Sequence, residues 1–334
     1  MNVVVVTEKP AVSRLIAPHV RKYWPADHVV FVHAVPFVNV RFSYPRGLKL
    51  QEFPYVSEPR FRLTPWDEWF CEPLALADDG GFLQVRMGVE LFTAADLVVC
   101  ACDPDPRGVV AFSVLMEQVF GDDRAMACPT LTLHALDDAS IERALLSLPQ
   151  FQLASASNLE YGRVKQYFDW NWNVNSLAVL GETRRRAGVP DDAPAVSKYA
   201  LQLLYGMRYE RPRSEDAVLT IMHQWHGTGR YKATPGQWRP RLGSATSMAA
   251  IVEDLLAAGL FDRVPVGGNQ CLAVSERGHS LLRLLHPDCE DADLPFRLHA
   301  WSEAGTSAKP AVDRYIRTVF GKQIRFLRQA SAAA

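Results

Sequence analysis

The chain has 334 residues, 48% hydrophobic and 22% charged, with 20 Gly and 22 Pro, which excludes a disordered polymer and allows two or three domains with separate cores. No apolar run reaches the roughly 18 residues of a membrane span. Met1-Asn2-Val3 lacks a secretory n-region, and the six cysteines (71, 100, 102, 128, 271 and 289) have no CxxC spacing, so the expected setting is a reducing cytoplasm. The net charge of −1 hides a split: residues 184–241 hold 11 Lys+Arg against 5 Asp+Glu, residues 305–334 hold 6 against 1, and the remainder carries −12. Basic segments on an acidic chain mark either a polyanion-binding face or solvated surface arginines.

Val3-Val4-Val5-Val6 is a continuous β-branched run and predicts a strand buried on both faces. It ends at Thr7-Glu8-Lys9-Pro10, where Pro10 suits the first turn of a helix over Ala11–Val20. Residues 29–95 are rich in Pro and aromatics with short alternations and read as hairpins and loops. Leu97 to Cys102 predicts a second buried strand, running into Asp103-Pro104-Asp105-Pro106-Arg107-Gly108 and a helix over Val109–Phe120. A third strand is expected over Leu131–Leu136, followed by a helix capped from Asp137-Asp138-Ala139-Ser140.

A helical pattern holds from Asn158 to Glu182, with a Pro/Asp-rich linker over 188–194 and a further helix over Val196–Met207. Residues 227–243 read as loop. From Ser244 the pattern is an amphipathic helix stopped by Gly259, a hairpin turning at Val266-Gly267-Gly268-Asn269, and a helix from Ser275-Glu276 to Leu285, the outline of a winged helix.

Glu8 follows one buried strand, and Asp103 and Asp105 follow another. Open parallel sheets bind ligands beyond the carboxyl ends of their strands. Three carboxylates gathered there suit a hard divalent cation such as Mg²⁺ and metal-assisted phosphodiester chemistry. Lys9 would then serve as a phosphate-directed cation, and Gly108 would admit the phosphate close to the backbone. The plainer reading is that Asp103 and Asp105 cap the following helix.

These residues resemble a known family. Thr7-Glu8-Lys9-Pro10 after a valine run, with Cys102 to Gly108, is similar to the Toprim domain of type IA DNA topoisomerases, most of all topoisomerase III. Phe168-Asp169-Trp170 with Asn175 resembles the helical segment that follows. Leu242 to Val252 resembles the family's Leu-Gly-Thr-Pro-Ala-Thr-Arg-Ala-x-Ile-Ile motif, and Ala273 to Gly278 its Val-Pro-Thr-x-x-Gly. The resemblance covers residues 1–180 and 242–301 in patches. It implies an α/β Toprim domain (1–150), a helical connector with a basic, aromatic-rich segment (151–241), a winged-helix-like α+β domain (242–301) and a basic C-terminal tail (302–334). The resemblance implies Glu8, Lys9, Asp103 and Asp105 as catalytic residues, with Mg²⁺ on Glu8, Asp103 and Asp105; Arg107, a departure from the family, is added to them as a cation directed at the phosphate.

The chain also departs from the family. Where the family has Arg-Glu-Gly-Glu after Asp-x-Asp, this chain has Pro106, Arg107, Gly108 and Val109. A cation placed where the metal-side Glu stood repels a second cation by about 4 kcal/mol at ~4 Å and an effective dielectric near 20, so Arg107 weakens Mg²⁺ binding or replaces the ion as phosphate clamp. The Arg of Ala-Thr-Arg is Met248, and no Gly-Arg-Val-Gln motif is recognisable around Val196-Ser197-Lys198-Tyr199. The family's nucleophilic Tyr-x-Arg-Thr-Asp has two local look-alikes, Tyr44-Pro45-Arg46 and Tyr209-Glu210-Arg211, neither followed by Thr-Asp; Tyr209 is the nucleophile candidate carried forward. The stretch before the winged-helix unit is too short for the strand-passage gate, so a partner protein would have to supply one.

Arg208, Arg211, Arg213, Arg230, Lys232, Arg239 and Arg241 alternate with Tyr205, Tyr209, Trp225, Tyr231 and Trp238, a composition suited to single-stranded DNA; core packing is the alternative for Tyr205 and Trp225. Trp170 and Trp172 read as helix packing. His223 and His226 have the spacing of a metal pair but no third ligand nearby, and Ser247 reads as a helix cap. Two readings follow. One is a DNA-binding, nucleoid-associated protein degenerate for strand passage; the other is an active Mg²⁺-dependent topoisomerase or nickase.

Overall fold

The computed structural model describes residues 1–25, 28–33, 40–63, 74–76, 82–84, 89–121, 124–231 and 240–332. The chain forms two compact units, Met1–Tyr44 with Pro59–Val164, and Pro45–Glu58 with Lys165–Ala334. No described helix is long and apolar enough to cross a membrane.

The first unit is mixed α/β. In chain order it contains β1 (Asn2–Thr7), α1 (Pro10–Tyr23), β2 (His28–His33), β3 (Val40–Phe42), β4 (Phe61–Leu63), β5 (Leu74–Leu76), β6 (Phe82–Gln84), α2 (Val89–Thr93), β7 (Leu97–Ala101), α3 (Pro106–Phe120), α4 (Arg124–Ala127), α5 (Asp138–Leu145) and the start of α6 (Phe151–Asn175). The main sheet has the order β6-β5-β2-β1-β7. β1 pairs in parallel with β2 (Asn2 opposite His28) and with β7 (Val3 opposite Leu97), while β5 and β6 run antiparallel. The unbroken valine run follows from cover on both faces. Val3 and Val5 pack with Val12, Ile16 and Val20 of α1. Val4 and Val6 pack with Val109 and Phe112 of α3 on the other face.

Two expectations need correction here. The start of the segment read as hairpins and loops is β2, a central parallel strand; His28 and His33 bracket a short apolar stretch whose partner, β1, lies far back in sequence. The strand expected over Leu131–Leu136 contracts to one parallel bridge between Cys100 and Thr130. Leu131 N–H donates to Cys100 O (2.7 Å) and Cys100 N–H to Pro129 O (2.9 Å). Beyond that the chain turns to the Asp137 cap of α5, whose side chain accepts from Ser140 N.

The second unit takes the rest of α6, a π-helical turn (Ser176–Leu180), α7 (Gly181–Arg186), α8 (Lys198–Met207), β8 (Arg213–Ser214), α9 (Glu215–His223), α10 (Ala245–Ala257), β9 (Phe261–Val266), β10 (Asn269–Val274), α11 (Glu276–Arg283), α12 (Leu294–Glu303) and α13 (Lys309–Ala332). Its sheet is β8-β10-β9. Gly267 and Gly268 turn the β9–β10 hairpin at φ of +58° and +84°, the left-handed pair that a two-residue hairpin loop requires.

Two fully buried asparagines one helical turn apart on α6 hold residues 55–57 in this unit. Asn171 accepts from Ser57 N (2.9 Å) and donates to Ser57 O (3.0 Å). Asn175 repeats the pattern on Tyr55, at 2.8 and 2.6 Å. Each amide thus replaces a strand partner for an extended backbone. Trp170 and Trp172 are buried, with Trp172 stacked on Phe168 at 5.9 Å. The segment read as a basic tail is chiefly the helix α13. Val312, Ile316, Val319, Phe320, Ile324 and Leu327 form its buried stripe, while Arg314, Arg317, Arg325 and Arg328 face water; the charge count had obscured a 3.6-residue period.

Candidate functional site

β1 and β7 are parallel neighbours, so the chain leaves both at the same sheet edge. From that edge β1 feeds α1 on one face and β7 feeds α3 on the other, which makes their junction the switch point of the sheet. Glu8, Lys9 and Asp103 therefore meet: Lys9 Nζ lies 3.1 Å from Asp103 Oδ2. Glu8 is only 7% exposed, and its Oε2 has no hydrogen-bond partner among the described residues. Burial first, and the adjacent Asp103 second, push the Glu8 carboxyl up to about 7. The hydrogen bond to Asp103 holds Lys9 above the usual lysine value.

Asp105 is the N-cap of α3. Its Oδ1 accepts from Arg107 N and Gly108 N, both at 2.8 Å, while Pro106 fills the first helical position where no N–H is needed. Gly108 is held tightly in this turn: a Cβ there would lie 2.4 Å from Asp103 O and 3.1 Å from Glu8 Oε2. The turn is secured by Asn158 of α6, whose Nδ2 donates to Pro104 O at 2.9 Å. A second close approach occurs at Gly162, where a Cβ would meet Val110 Cγ2 at 2.4 Å and Pro106 O at 2.6 Å. Thr7 and Ser13 hydroxyls are hydrogen-bonded at 2.7 Å beneath the edge. No local motif marks Asn158 or Gly162; only the packing of α6 on α3 reveals them.

The residues as they stand do not fit Mg²⁺. Among the described residues, no three His, Cys, Asp or Glu side chains form a group that could hold a metal ion. The physical reasons are local: one Asp105 oxygen serves the helix cap, and Lys9 occupies Asp103. Arg107 is exposed and forms no ion pair with a described carboxylate. It therefore does not neutralise the acidic groups by contact.

The basic segment divides by environment. Tyr205 and Trp225 are core residues, 8% and 9% exposed, and Tyr231 stacks on Phe296 at 5.5 Å. These rings are not free platforms for bases. Arg208 is paired with Glu290 (2.6 Å) and Arg213 with Glu210 (2.8 Å). Arg211 and Arg230 are exposed, and Arg241 is half-buried. Lys232, Trp238 and Arg239 lie outside the described residues. Tyr209 is 87% exposed with the Arg208 guanidinium 4.9 Å above its ring; Tyr44 is half-buried, its ring 5.9 Å from Phe42. His223 and His226 are exposed and belong to no described metal-binding group. Ser244 is the cap of α10, and Ser247 completes the capping box, its Oγ accepting from Ser244 N at 2.8 Å.

Neither a family model nor a curated protein sequence matches this chain significantly.

Proposed function

We propose that the chain is a Toprim-like DNA-binding protein, related in design to type IA topoisomerases and degenerate for strand passage, which grips single-stranded or distorted DNA. The observation that carries the reading is the meeting of Glu8-Lys9 with Asp103 at the β1/β7 switch point, with the Asp105 cap and Gly108 closing the turn. Exposed Lys9 and Arg107 supply cations at that edge, and backbone phosphates are the ligand such cations meet in a nucleic acid. Binding is favoured over cutting because the carboxylates are engaged in a cap and an ion pair, not held as a metal donor set.

In the second unit, the element order α8-β8-α9-α10-β9-β10 and the strand order β8-β10-β9 support reading a winged-helix-like domain there, one that begins well before the expected residue 242. Its third helix, α10, contains no Lys or Arg and exposes Glu253 and Asp254. A helix with that face does not enter a DNA groove. The contacts are assigned instead to Arg211, Arg230 and Arg241 of the basic segment.

The test is incubation with negatively supercoiled plasmid, with and without Mg²⁺, and with a labelled single strand. Expected is retarded, uncut DNA in either condition. If Lys9, Arg107, Arg211, Arg230 and Arg241 each neutralise a phosphate on a single strand, the log–log salt slope is about −3.5. Stepwise relaxed topoisomers, or nicked circles lost in Asp103→Ala, would establish the Mg²⁺-dependent enzyme instead, a reading favoured by the unpartnered Oε2 of Glu8. Salt-independent retention, or none, would remove DNA as the ligand.

A further inference from the structure

The second unit contains a half-open cavity of about 460 Å³ between residues 48–53, the π-helical turn with α7, and the end of α13. Its volume lies in the range of small-molecule sites, and its lining is mostly apolar with a few polar groups, as such sites are. Leu50, Phe53, Val179, Ile324 and Leu327 supply the apolar wall. The polar groups are Glu182, Arg185, Arg186 and Arg328. Nothing in this arrangement depends on the sheet edge of the first unit.

Charge and local geometry both indicate what would enter. Glu182 is shared by Arg185 at 2.7 Å and Arg186 at 3.0 Å, so one carboxylate faces two guanidinium groups. Arg328 is exposed and has no ion-pair or hydrogen-bond partner among the described residues. Guanidinium groups match carboxylate and phosphate oxygens through a fixed fork of N–H donors. A second, independent feature is the π-helical turn at Ser176–Leu180, which contributes Ala178 and Val179 to the wall; such turns interrupt the regular ladder and recur at functional sites. Leu50 is 44% exposed at this wall and would gain burial from a bound apolar body. The wall offers aliphatic carbons and one ring but few groups to satisfy the polar edge of a base.

We propose that this cavity binds an aliphatic anion, a chain with a single terminal carboxylate or phosphate, its tail against Leu50, Val179 and Ile324 and its head on Arg328 and Arg185.

The test is calorimetric titration of the full chain with sodium decanoate, beside thymidine monophosphate. Expected is one decanoate per chain, with a dissociation constant on the order of 100 µM and little or no binding of the nucleotide. Arg328→Glu should weaken decanoate at least tenfold with an unchanged melting temperature, because that side chain is exposed and unpaired. Ala178→Trp, which fills the cavity from its half-buried wall, should abolish binding. No decanoate binding by the parent chain, binding equal in Arg328→Glu and the parent, or tighter binding of the nucleotide than of decanoate would each overturn the assignment. A loss in Ala178→Trp accompanied by a fallen melting temperature leaves the decision to Arg328→Glu.

Discussion

The turn from Asp103 to Gly108 can be probed by adding one methyl group. In an open helix, Gly→Ala gains about 1 kcal/mol through backbone entropy. At Gly108 the new Cβ would lie 2.4 Å from the Asp103 carbonyl oxygen and 3.1 Å from both Asp103 N and Glu8 Oε2. The closest obstacle is backbone, so the turn itself must move. Overpacking of this kind costs typically 1–3 kcal/mol. Displacing Gly108 N from Asp105 Oδ1, now 2.8 Å away, forfeits up to about 1 kcal/mol of capping. With the cap bond fully lost, the net expectation for Gly108→Ala is a destabilisation of about 1–3 kcal/mol. Gly181→Ala is the matched control. That residue has a helical φ of −57°, and a Cβ there meets nothing within 4 Å, so the substitution should be neutral or stabilising. Urea denaturation followed by far-ultraviolet circular dichroism reads both, as a shift of midpoint at constant slope. A Gly108→Ala protein at least as stable as its parent would refute the packing argument, and with it the close approach of α3 to Glu8.

Glu8 predicts a pH dependence. Its carboxyl is raised from 4.5 to about 7 in the folded chain, so the folded state holds the proton longer than the unfolded one. Stability from this group is therefore full below about pH 4.5 and is lost as pH rises through about 7, by about 3 kcal/mol in all. Glu8→Gln should flatten that window and exceed the parent in stability at pH 8; a parent curve flat between pH 4.5 and 7 would contradict the burial of an acid there. Asp105→Ala should cost about 1 kcal/mol as a lost cap, whereas Asp105→Asn or Asp105→Ser should lose little. Equal losses in all three, measured by the same denaturation, would mean that the carboxylate does more than cap. Asn175→Leu leaves the N–H and C=O of Tyr55 without their present partners and should destabilise by about 2–4 kcal/mol; protease cleavage near residues 53–57 should rise with it, and unchanged resistance would count against the asparagine ladder.

How far the residues announce the structure varies along the chain. The valines of β1 and the apolar run of β7 are legible because burial on both faces demands continuous apolar residues, whatever the topology. The helix–hairpin–helix from Ser244 to Arg283 is legible for a local reason too: an N-cap, a Gly stop and a Gly-Gly turn lie within a few residues of what they punctuate. The same signals ranked both meanings of Asp105, metal ligand and helix cap, without separating them, since either begins with a carboxylate before Pro and Gly. Its Oδ1 accepts from Arg107 N and Gly108 N, so the cap is formed in the fold.

Other features exist only between distant parts of the chain. β2 is a central strand because β1 lies beside it, and its own six residues resemble many edge segments. Residues 45–58 group with the second unit, where Asn171 and Asn175 bind their backbone across more than a hundred positions. Tyr205 and Trp225 look like stacking platforms in composition and are core residues in space. Protonation belongs to this class as well: the letters at positions 8, 9, 103 and 105 state which groups can ionise, but the water removed around Glu8 and the charge set beside it decide whether it does. Local pattern reaches as far as one element's own periodicity and caps; burial, pairing and charge state are properties of neighbours that the chain order does not specify.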